Sequence, residues 1–469
     1  MNLLTFAAVF VGVQFYGATI HAAQLSDEEI QALIKRVDEL EQEVKALKRN
    51  REVDKENAKE QAKQTPTVSL GMNGLNVRSG DSNFIMYAHG YAQIDGRNYF
   101  GQKTTPDTFL LRRVRPIVEG TVWQDVDYRL MLDVASGNVT GSTANNVSIL
   151  DDAYVNARYW ANFQVQIGKY KSPIGLERLQ STADLFFVET GFATELVPNY
   201  DLGASIHNNF FAQPVGYSIG IYDGASDNSS EDADVDEGKD VAGRLFLQPW
   251  VNKLDSPLQH LGVGAGGSIG THDGGPITAY RTPGQQTFYT YTNVVPSGVQ
   301  YRIDPQAYYF WGPLGIMSEY AISSQKFAST KIGLAKQERF NNSAWQVQAS
   351  YFLTGEENSF KATSLQHVQP RHNFGPGGTG WGAFEVVARV QQLMLDENSF
   401  FRRGATGFVT PGSAQKATAW GVGLNWYLNP NLKLNLNYES TTFTGYTPVA
   451  GKTSHSPEHV LLGRVQYSF

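Results

Sequence analysis

Residues Lys169-Tyr-Lys-Ser-Pro-Ile-Gly-Leu-Glu-Arg178 mark the point at which a regular strand pattern stops and a long charged connection begins. Just before them, Phe163, Val165 and Ile167 alternate with polar or small residues, and this period of two predicts a half-buried strand. The connection then runs to about residue 200 and includes apolar pairs such as Phe186-Phe187 among its acids. A connection of this length is usually functional or disordered, and this one is too apolar for disorder. We therefore expect a loop folded into a space that the other strands enclose.

The composition excludes several classes of protein. The 469 residues include no cysteine, which rules out disulfides and thiolate metal sites. The net charge of -7 argues against a nucleic-acid partner, because such a partner calls for a basic face. Beyond the N-terminus, no apolar run reaches the ~18 residues of a transmembrane helix. A membrane form of this chain would therefore cross the bilayer with strands whose two faces differ.

The N-terminal region has its own organisation. Residues 1–23 form an apolar run ending in small residues, which we interpret as a signal peptide, with a short buried helix as the alternative. Ser26 and Glu29 have capping-box spacing, so a helix is expected within 24–64. Residues 65–80 are interpreted as a linker. The helix carries an a/d seam of about three heptads, which predicts a coiled coil: Ile30, Leu33, Val37, Leu40, Val44 and Leu47.

Residues 81–469 contain about sixteen strand-like segments, which predict an all-β fold, a 16-stranded antiparallel transmembrane β-barrel. Short turns alternate with long connections, as the periplasmic turns and outer loops of bacterial outer-membrane barrels do. The segment 355–379 breaks this rule and is either a large periplasmic excursion or a missed hairpin. The expected strands are 84–95, 108–123, 126–136, 149–160, 163–171, 202–211, 214–223, 240–249, 259–271, 300–310, 313–323, 344–354, 380–394, 417–428, 431–443 and 459–469.

Period alone does not distinguish a soluble β-sandwich from a barrel whose apolar face meets lipid. Two features favour the barrel. Aromatic residues stand beside the short turns, as in an interfacial girdle: Trp123, Trp160, Phe211, Trp250, Trp311 and Tyr427. The chain also ends on a strand whose last residue is Phe469.

Several fragments, in order along the chain, resemble the phosphate-selective porin O/P family of bacterial outer-membrane porins. They include Phe109-Leu-Leu-Arg-Arg-Val-Arg115, Ile149-Leu-Asp-Asp-Ala-Tyr-Val155, Leu196-Val-Pro-Asn-Tyr-Asp-Leu-Gly203 and Trp311-Gly-Pro-Leu-Gly-Ile-Met-Ser-Glu-Tyr320. The resemblance implies a homotrimer, whereas β-branched residues at a with Leu at d favour dimers in isolated coiled coils. We expect the barrel to set the stoichiometry.

Cationic side chains on the faces assigned to the lumen are the main site candidates. Arg112, Arg113 and Arg115 match the Arg-rich strand of the family and are the first choice. One interpretation is that the cations merely pair with acids on the same faces. The other is an anion path, because guanidinium binds carboxylate or phosphate bidentately and keeps its charge. The candidates are Arg112, Arg113, Arg115, Arg129, Arg158, Lys169, Lys171, Arg178, Arg244, Arg302 and Arg389.

The long loop adds acids and lacks two cations. Thr190 and Tyr200 stand where the family pattern commonly carries Arg. We therefore expect a mixed constriction with weak anion preference or general permeability. The constriction acids are Glu177, Asp184, Glu189 and Glu195.

Other patterns predict no metal, cofactor or catalytic residue. Asp232, Asp234 and Asp236 fit the first ligands of an EF-hand, but Gly238 falls one place late, so a solvated loop is expected. The pairs His367 with His372 and His455 with His459 do not resemble a catalytic zinc site.

The sequence thus predicts a porin in the Gram-negative outer membrane, with its N-terminal helix in the periplasm. Its partners would be outer-membrane lipid, two further copies and small solutes or anions such as phosphate, with no nucleic acid. One alternative is a barrel enzyme, for which Ser205 and His207 lack an orienting third residue. Another is an adhesive or structural protein anchored by the coiled coil.

Overall fold

The computed structural model describes residues 26–72, 74–101, 106–135, 149–160, 162–208, 214–233, 236–275, 277–330, 337–358, 360–361, 364–377, 380–400, 408–446 and 455–469. The expected signal peptide, residues 1–23, lies outside this range. The chain divides into two units, 1–65 and 66–469.

The first unit contains helix α1, Asp27–Gln64. It begins with the expected capping box: the Ser26 hydroxyl accepts a hydrogen bond from the Glu29 amide at 3.4 Å, and the Ser26 amide donates to Glu29 Oε2 at 3.1 Å. The side chains of the a/d seam are 43–65% exposed in the single chain. No described helix is both long and apolar enough to cross a membrane.

The second unit is built almost entirely from strands, numbered here in chain order. They are β1 Thr67–Gly71, β2 Gly74–Arg78, β3 Phe84–Phe100, β4 Thr108–Val122, β5 Val126–Leu132, β6 Leu150–Ala157, β7 Gln164–Lys171, β8 Tyr200–His207, β9 Val215–Tyr222, β10 Asp240–Leu247, β11 Leu261–Asp273, β12 Tyr280–Arg281, β13 Thr287–Tyr289, β14 Val294–Trp311, β15 Leu314–Ser329, β16 Gln337–Phe352, β17 Phe360–Lys361, β18 Ser364–Leu365, β19 Ala383–Met394, β20 Ala414–Asn429, β21 Leu432–Tyr446 and β22 Glu458–Ser468.

Sixteen of these strands form a closed antiparallel barrel, which confirms the predicted fold class. The barrel consists of β3–β11, β14–β16 and β19–β22, and it closes where β22 pairs with β3 from His459↔Phe100 to Ser468↔Tyr91. Each barrel strand overlaps one of the sixteen predicted segments. Two observed strands, β14 and β16, begin earlier than the segments predicted at 300–310 and 344–354. The reason is that β14, β15 and β16 continue to pair toward the outer loops.

The structure differs from the expectation of a linker at 65–80. Residues 67–78 form the hairpin β1–β2, and β2 adds to the barrel sheet through pairs from Leu75↔Ala88 to Arg78↔Ile85. β22 pairs with β3 from Tyr91 to Phe100, so the edge of β3 that precedes Tyr91 is free to accept another strand. Val68 and Leu70 of the hairpin are exposed, which explains why its weak alternation did not reveal a strand.

The two faces of the barrel have opposite polarity. In β21, Lys433, Asn435, Asn437 and Glu439 are buried, whereas Leu436 is 50% exposed. The outer face is mainly apolar, and the inner face carries the charged and polar residues together with buried aromatic clusters, which is the reverse of a soluble sandwich. Outward residues with more than 40% exposure include Ile94, Leu111, Leu130, Val155, Ile167, Ile206, Ile219, Ile221, Val241, Leu245, Ile269 and Ile303.

The two ends of the barrel differ as predicted, with short turns at one and long connections at the other. Trp123, Trp160 and Trp311 are exposed beside the short turns. Tyr427, which we expected in the same girdle, is instead buried and donates a hydrogen bond to Glu385 at 2.8 Å. Phe211 lies outside the described residues. Among its described residues, the long segment at the short-turn end contributes no strand to the barrel and contains the small separate hairpin β17–β18.

Candidate functional site

The connection 172–199 makes hydrogen bonds to the polar faces of strands on several sides of the barrel. Its backbone amides donate to side chains of β15, β19 and β21: Leu176 to Glu319 at 2.7 Å, Phe192 to Gln391 at 2.7 Å and Val188 to Asn437 at 2.7 Å. Its carbonyls accept from β3 and β22, at Thr182 from Gln93 and at Ala183 from Gln466. Strand side chains thus satisfy backbone groups that water would otherwise solvate.

Glu189, at the centre of this connection, faces four arginines from three strands. Its carboxylate lies 2.6 Å from Arg112, 2.9 Å from Arg97, 3.6 Å from Arg113 and 3.7 Å from Arg464. Burial opposes ionisation of Glu189, but the charges of Arg112, Arg113 and Arg97 outweigh it and hold the pKa well below its usual range. The carboxylate therefore stays charged and holds the arginines in place.

A β-bulge explains how two consecutive arginines reach the same carboxylate. Strict alternation would send Arg112 and Arg113 to opposite faces of β4. The register between β3 and β4 shifts here, from Gln93↔Arg113 to Ile94↔Leu111, which leaves Arg112 without a partner residue in β3. An extra residue of this kind turns its side chain out of the normal alternation.

Arg115 lies further along β4 and is held between an acid that follows β5 and an acid of β6. Its guanidinium lies 3.0 Å from Asp133 and 2.7 Å from Asp151. It also donates to the hydroxyls of Tyr91 and Thr182, both at 3.0 Å. Arg115 thus joins the barrel wall to the connection 172–199 at Thr182.

Two cavities lie between the loop and the wall formed by β4–β9. The first has a volume of about 410 Å³ and extends toward the outer connections, with Asn199 and Arg281 in its lining. The second has a volume of about 490 Å³ and extends toward the short turns, with Gln166 and His207 in its lining. Four residues line both cavities, so the two meet at a constriction: Arg115, Lys171, Thr182 and Tyr200.

Two cations at this passage have neutral partners. The Lys171 ammonium donates to the Gln180 carbonyl at 2.7 Å. The Arg178 guanidinium donates to the Thr194 carbonyl and to Asn228. Within the described part of the chain, neither has a carboxylate within salt-bridge distance.

The predicted cations separate into two groups. Those lining the cavities are Arg112, Arg113, Arg115, Arg129, Lys171, Arg178 and Arg244. The others lie elsewhere: Lys169 bonds Asp232, Arg302 is enclosed by Asp227 and Asp240, Arg389 binds Glu439, and Arg158 binds Asp127 beside a short turn. The pairing interpretation describes the second group and also four cations of the first, because Arg112, Arg113, Arg115 and Arg129 are ion-paired with acids of the protein.

The predicted acids also have different surroundings. Glu177, Glu189 and Glu195 line the first cavity, whereas Asp184 lies 3.0 Å from His367 of the segment 353–382. Burial raises the pKa of Glu195 to about 7, although the Arg281 amide donates to it at 3.1 Å. Glu195 is therefore the loop acid whose charge changes near neutral pH.

Sequence reasoning missed Arg97 and Arg281. Arg97 was within reach, because Gln93, Asp95 and Arg97 share one face of β3 by period two and all three are buried. Arg281, in β12, lines the first cavity from an outer connection. Nothing in its local sequence indicates that contact, which depends on how the connection folds back. Among the described residues, no group of three or more His, Asp or Glu could hold a metal ion.

A closed sixteen-stranded antiparallel barrel with an apolar outer face and a polar, cavity-containing interior defines the class of bacterial outer-membrane porins. The chain belongs to one family within that class, the phosphate-selective porins O and P, whose model matches residues 87–469. This membership indicates a channel in the bacterial outer membrane.

A curated relative and two solved structures agree with this assignment. The chain is 24% identical to Porin O of Pseudomonas aeruginosa over 395 residues, which cover 78% of this chain and 84% of the relative. The outer membrane channel DcaP of Acinetobacter baumannii superposes with a TM-score of 0.50 and 11% identity, covering 84% of this chain and 99% of that one. A loop-deletion mutant of OmpT, an outer membrane protein of Vibrio cholerae, gives a TM-score of 0.50 at 10% identity, covering 82% and 100%. At these identities the two structures establish the fold alone.

Proposed function

We propose that the chain is a passive diffusion porin for small hydrophilic solutes with a weak preference for anions, phosphate among them. In this proposal the connection 172–199 is folded into the lumen and fills the side next to β15, β19 and β21. Solutes pass on the other side, from the first cavity through the constriction to the second. The observation that carries the proposal is the pair of adjoining cavities between this loop and the β4–β9 wall.

The charge along this path supports an anion preference. The first cavity is lined by six cations and five acids: Arg112, Arg113, Arg115, Lys171, Arg178 and Arg281, with Asp133, Asp151, Glu177, Glu189 and Glu195. The second cavity is lined by four cations and by Asp152 as its acid. Fixed charges that line a pore favour the opposite ion. An anion would therefore meet more attraction than repulsion on its way through.

Two residues, at positions where a cation is common in the family, indicate that the anion preference is weak. Thr190 lines the first cavity and Tyr200 lines both, at the positions where the family pattern commonly carries Arg. A charge contact at ~4 Å contributes about 1 kcal/mol in water and about 4 kcal/mol near a protein surface. Two missing cations at a constriction are enough to weaken selectivity for phosphate.

The test is the reversal potential of the purified protein in a planar bilayer under a KCl gradient. We expect stable conductance and a small potential with the sign of chloride preference. Strong cation selectivity, or no conductance, contradicts the proposal.

Acidification should strengthen the anion preference. The pKa of Glu195 is raised to about 7, so this acid is charged above pH 7 and becomes neutral below it, while the arginines of the path keep their charge. The reversal potential should therefore move toward the chloride value between pH 8 and 6, a window of about one unit on either side of that pKa. The difference between the shift of the wild type and that of Glu195→Gln reports this acid, and an unchanged pH response in that variant would contradict the assignment.

We propose that the chain is a homotrimer whose α1 helices form a coiled coil in the periplasm after removal of residues 1–23. The exposed seam of α1 supports the coiled coil, because a row of apolar side chains at a/d positions needs partner helices. The periplasmic placement follows from the chain entering the barrel at its short-turn end, through the turn 79–83.

Deletion of residues 26–64 should leave a trimer, since the seam spans only about three heptads and the barrel is the larger contact surface. Crosslinking of the detergent-extracted protein, with and without the deletion, measures this. A monomeric deletion variant would assign the stoichiometry to the helix instead.

We also propose that the barrel has no catalytic function. Ser205, the candidate nucleophile, accepts a hydrogen bond from Tyr170 at 2.8 Å. His207 is hydrogen-bonded to Asn156 and to the carbonyl of Asn208, both at 3.1 Å. Both side chains thus have partners in the wall, and in the described part of the chain no hydrogen bond joins one to the other.

A further inference from the structure

The second lumen cavity has an aromatic wall that a charge-selective hole does not require. Its volume of about 490 Å³ lies in the usual range of roughly 300–1,000 Å³ for ligand sites. Five tyrosines line it, from β3, β6, β7, β8 and β9: Tyr91, Tyr154, Tyr170, Tyr200 and Tyr222. A pore that selects solutes by charge alone does not require aromatic side chains in its wall.

Three of these rings form a continuous row. Tyr154 and Tyr170 meet edge to face with centroids 5.8 Å apart, and Tyr170 and Tyr222 do so at 5.7 Å. Tyr170 and Tyr222 are buried, whereas Tyr154 is half-buried and presents its ring to the cavity. Leu179 of the loop, also half-buried, lines the same cavity from the other side. Tyr154 on the wall and Leu179 on the loop thus both present apolar surface to this cavity.

Two of the five tyrosine hydroxyls are hydrogen-bonded within the protein. Tyr91 bonds Thr182 at 2.7 Å, and Tyr170 donates to Ser205 at 2.8 Å. The tyrosine rings can pack against an aromatic ring of a solute in an edge-to-face or stacked arrangement.

A cation also lines this wall, since Lys171 Nζ lies 5.6 Å from the centroid of the Tyr200 ring. Lys171 follows Tyr170 in β7 and lines both cavities. An ammonium carries three donors, and in the described structure Lys171 uses one, toward the Gln180 carbonyl. The acid of this cavity, Asp152, is already bound by Arg129 at 2.9 Å. The charge left over beside the aromatic row is positive.

We infer that the second cavity is a binding site for an aromatic carboxylate. The ring lies between Tyr154 and Leu179, and the carboxylate accepts hydrogen bonds from Lys171. This inference rests on the proposed porin function and adds to it a substrate class, since an inorganic anion would use the charge but not the rings.

The test compares benzoate with acetate as blockers of chloride current through the wild-type channel in a planar bilayer. Both carry one carboxylate, so the difference between them reports the ring. We expect benzoate to reduce the current saturably, at a half-blocking concentration at least about tenfold lower than that of acetate, which corresponds to about 1.4 kcal/mol.

Three variants assign the effect to residues. Tyr154→Ala should remove the advantage of benzoate over acetate. Lys171→Gln should raise the half-blocking concentration of both. Tyr320→Ala is the matched control, because Tyr320 is 40% exposed on the outer face of β15. Benzoate and acetate should block this variant at the same concentrations as the wild type.

Equal half-blocking concentrations of benzoate and acetate in the wild type overturn the inference, whether or not the variants fold. The reversal potential measured in the same membrane separates this failure from that of the function. An anion-preferring channel without benzoate block refutes only the site, and a protein that does not conduct refutes both.

Discussion

Glu189→Gln is expected to destabilise the barrel by about 3–5 kcal/mol, which is the usual result of removing one partner from a buried ion pair. The substitution leaves Arg97, Arg112, Arg113 and Arg464 close together, with Asp95 as their remaining close acid. Urea unfolding of the protein in lipid vesicles, followed by tryptophan fluorescence, measures the loss. The channel should also become more anion-selective, because the cations that Glu189 neutralised are released into the path.

Glu195→Gln is the control for this prediction. It removes an acid from the same loop, but one whose pKa of about 7 already leaves it partly neutral at neutral pH. We expect a clearly smaller loss of stability. Equal losses in the two variants would show that Glu189 does not organise the arginines as the distances indicate.

Lys171→Glu is expected to turn the weak anion preference into a cation preference. Lys171 lies where the two cavities meet, and it holds no carboxylate that the change would disturb. The substitution replaces a cation with an acid where the two cavities meet, and each contact at ~4 Å near a protein surface contributes about 4 kcal/mol. The reversal potential in a KCl gradient should therefore change sign.

Lys253→Glu makes the same change in net charge in an exposed turn between β10 and β11. It should leave the reversal potential as it is in the wild type. If Lys171→Glu also behaves as the wild type does, the path does not pass Lys171, and the assignment of the constriction is wrong.

The barrel could be predicted from the sequence because its strands are locally readable. In β21, four polar and four apolar residues alternate without interruption, and this pattern specifies both the strand and its two faces. The hairpin β1–β2 was not readable, since both faces of β1 are exposed and its pairing depends on the free edge of β3. A pattern of burial reveals a strand only where one face is buried.

The site was predictable in its residue types but not in its pairings. The arginines of β4 and the acids of the loop were identified, yet the convergence of four arginines on Glu189 depends on a bulge and on how the loop folds. Arg302 and Arg389 share the same strand pattern as Arg115 but are enclosed by the outer connections and the loop. Alternation indicates that a side chain faces inward, and tertiary packing decides whether water reaches it.

The central claim is that the aqueous path runs between the connection 172–199 and the β4–β9 wall. The chain has no cysteine, so single cysteines can be labelled without background. Thr182→Cys lies at the constriction, and Ser350→Cys, on the buried inner face of β16, is the matched control. A bulky charged methanethiosulfonate added to a conducting bilayer should sharply reduce the current through Thr182→Cys and leave Ser350→Cys unaffected. Block of Ser350→Cys with Thr182→Cys unaffected would place the path on the opposite side of the loop and contradict the account.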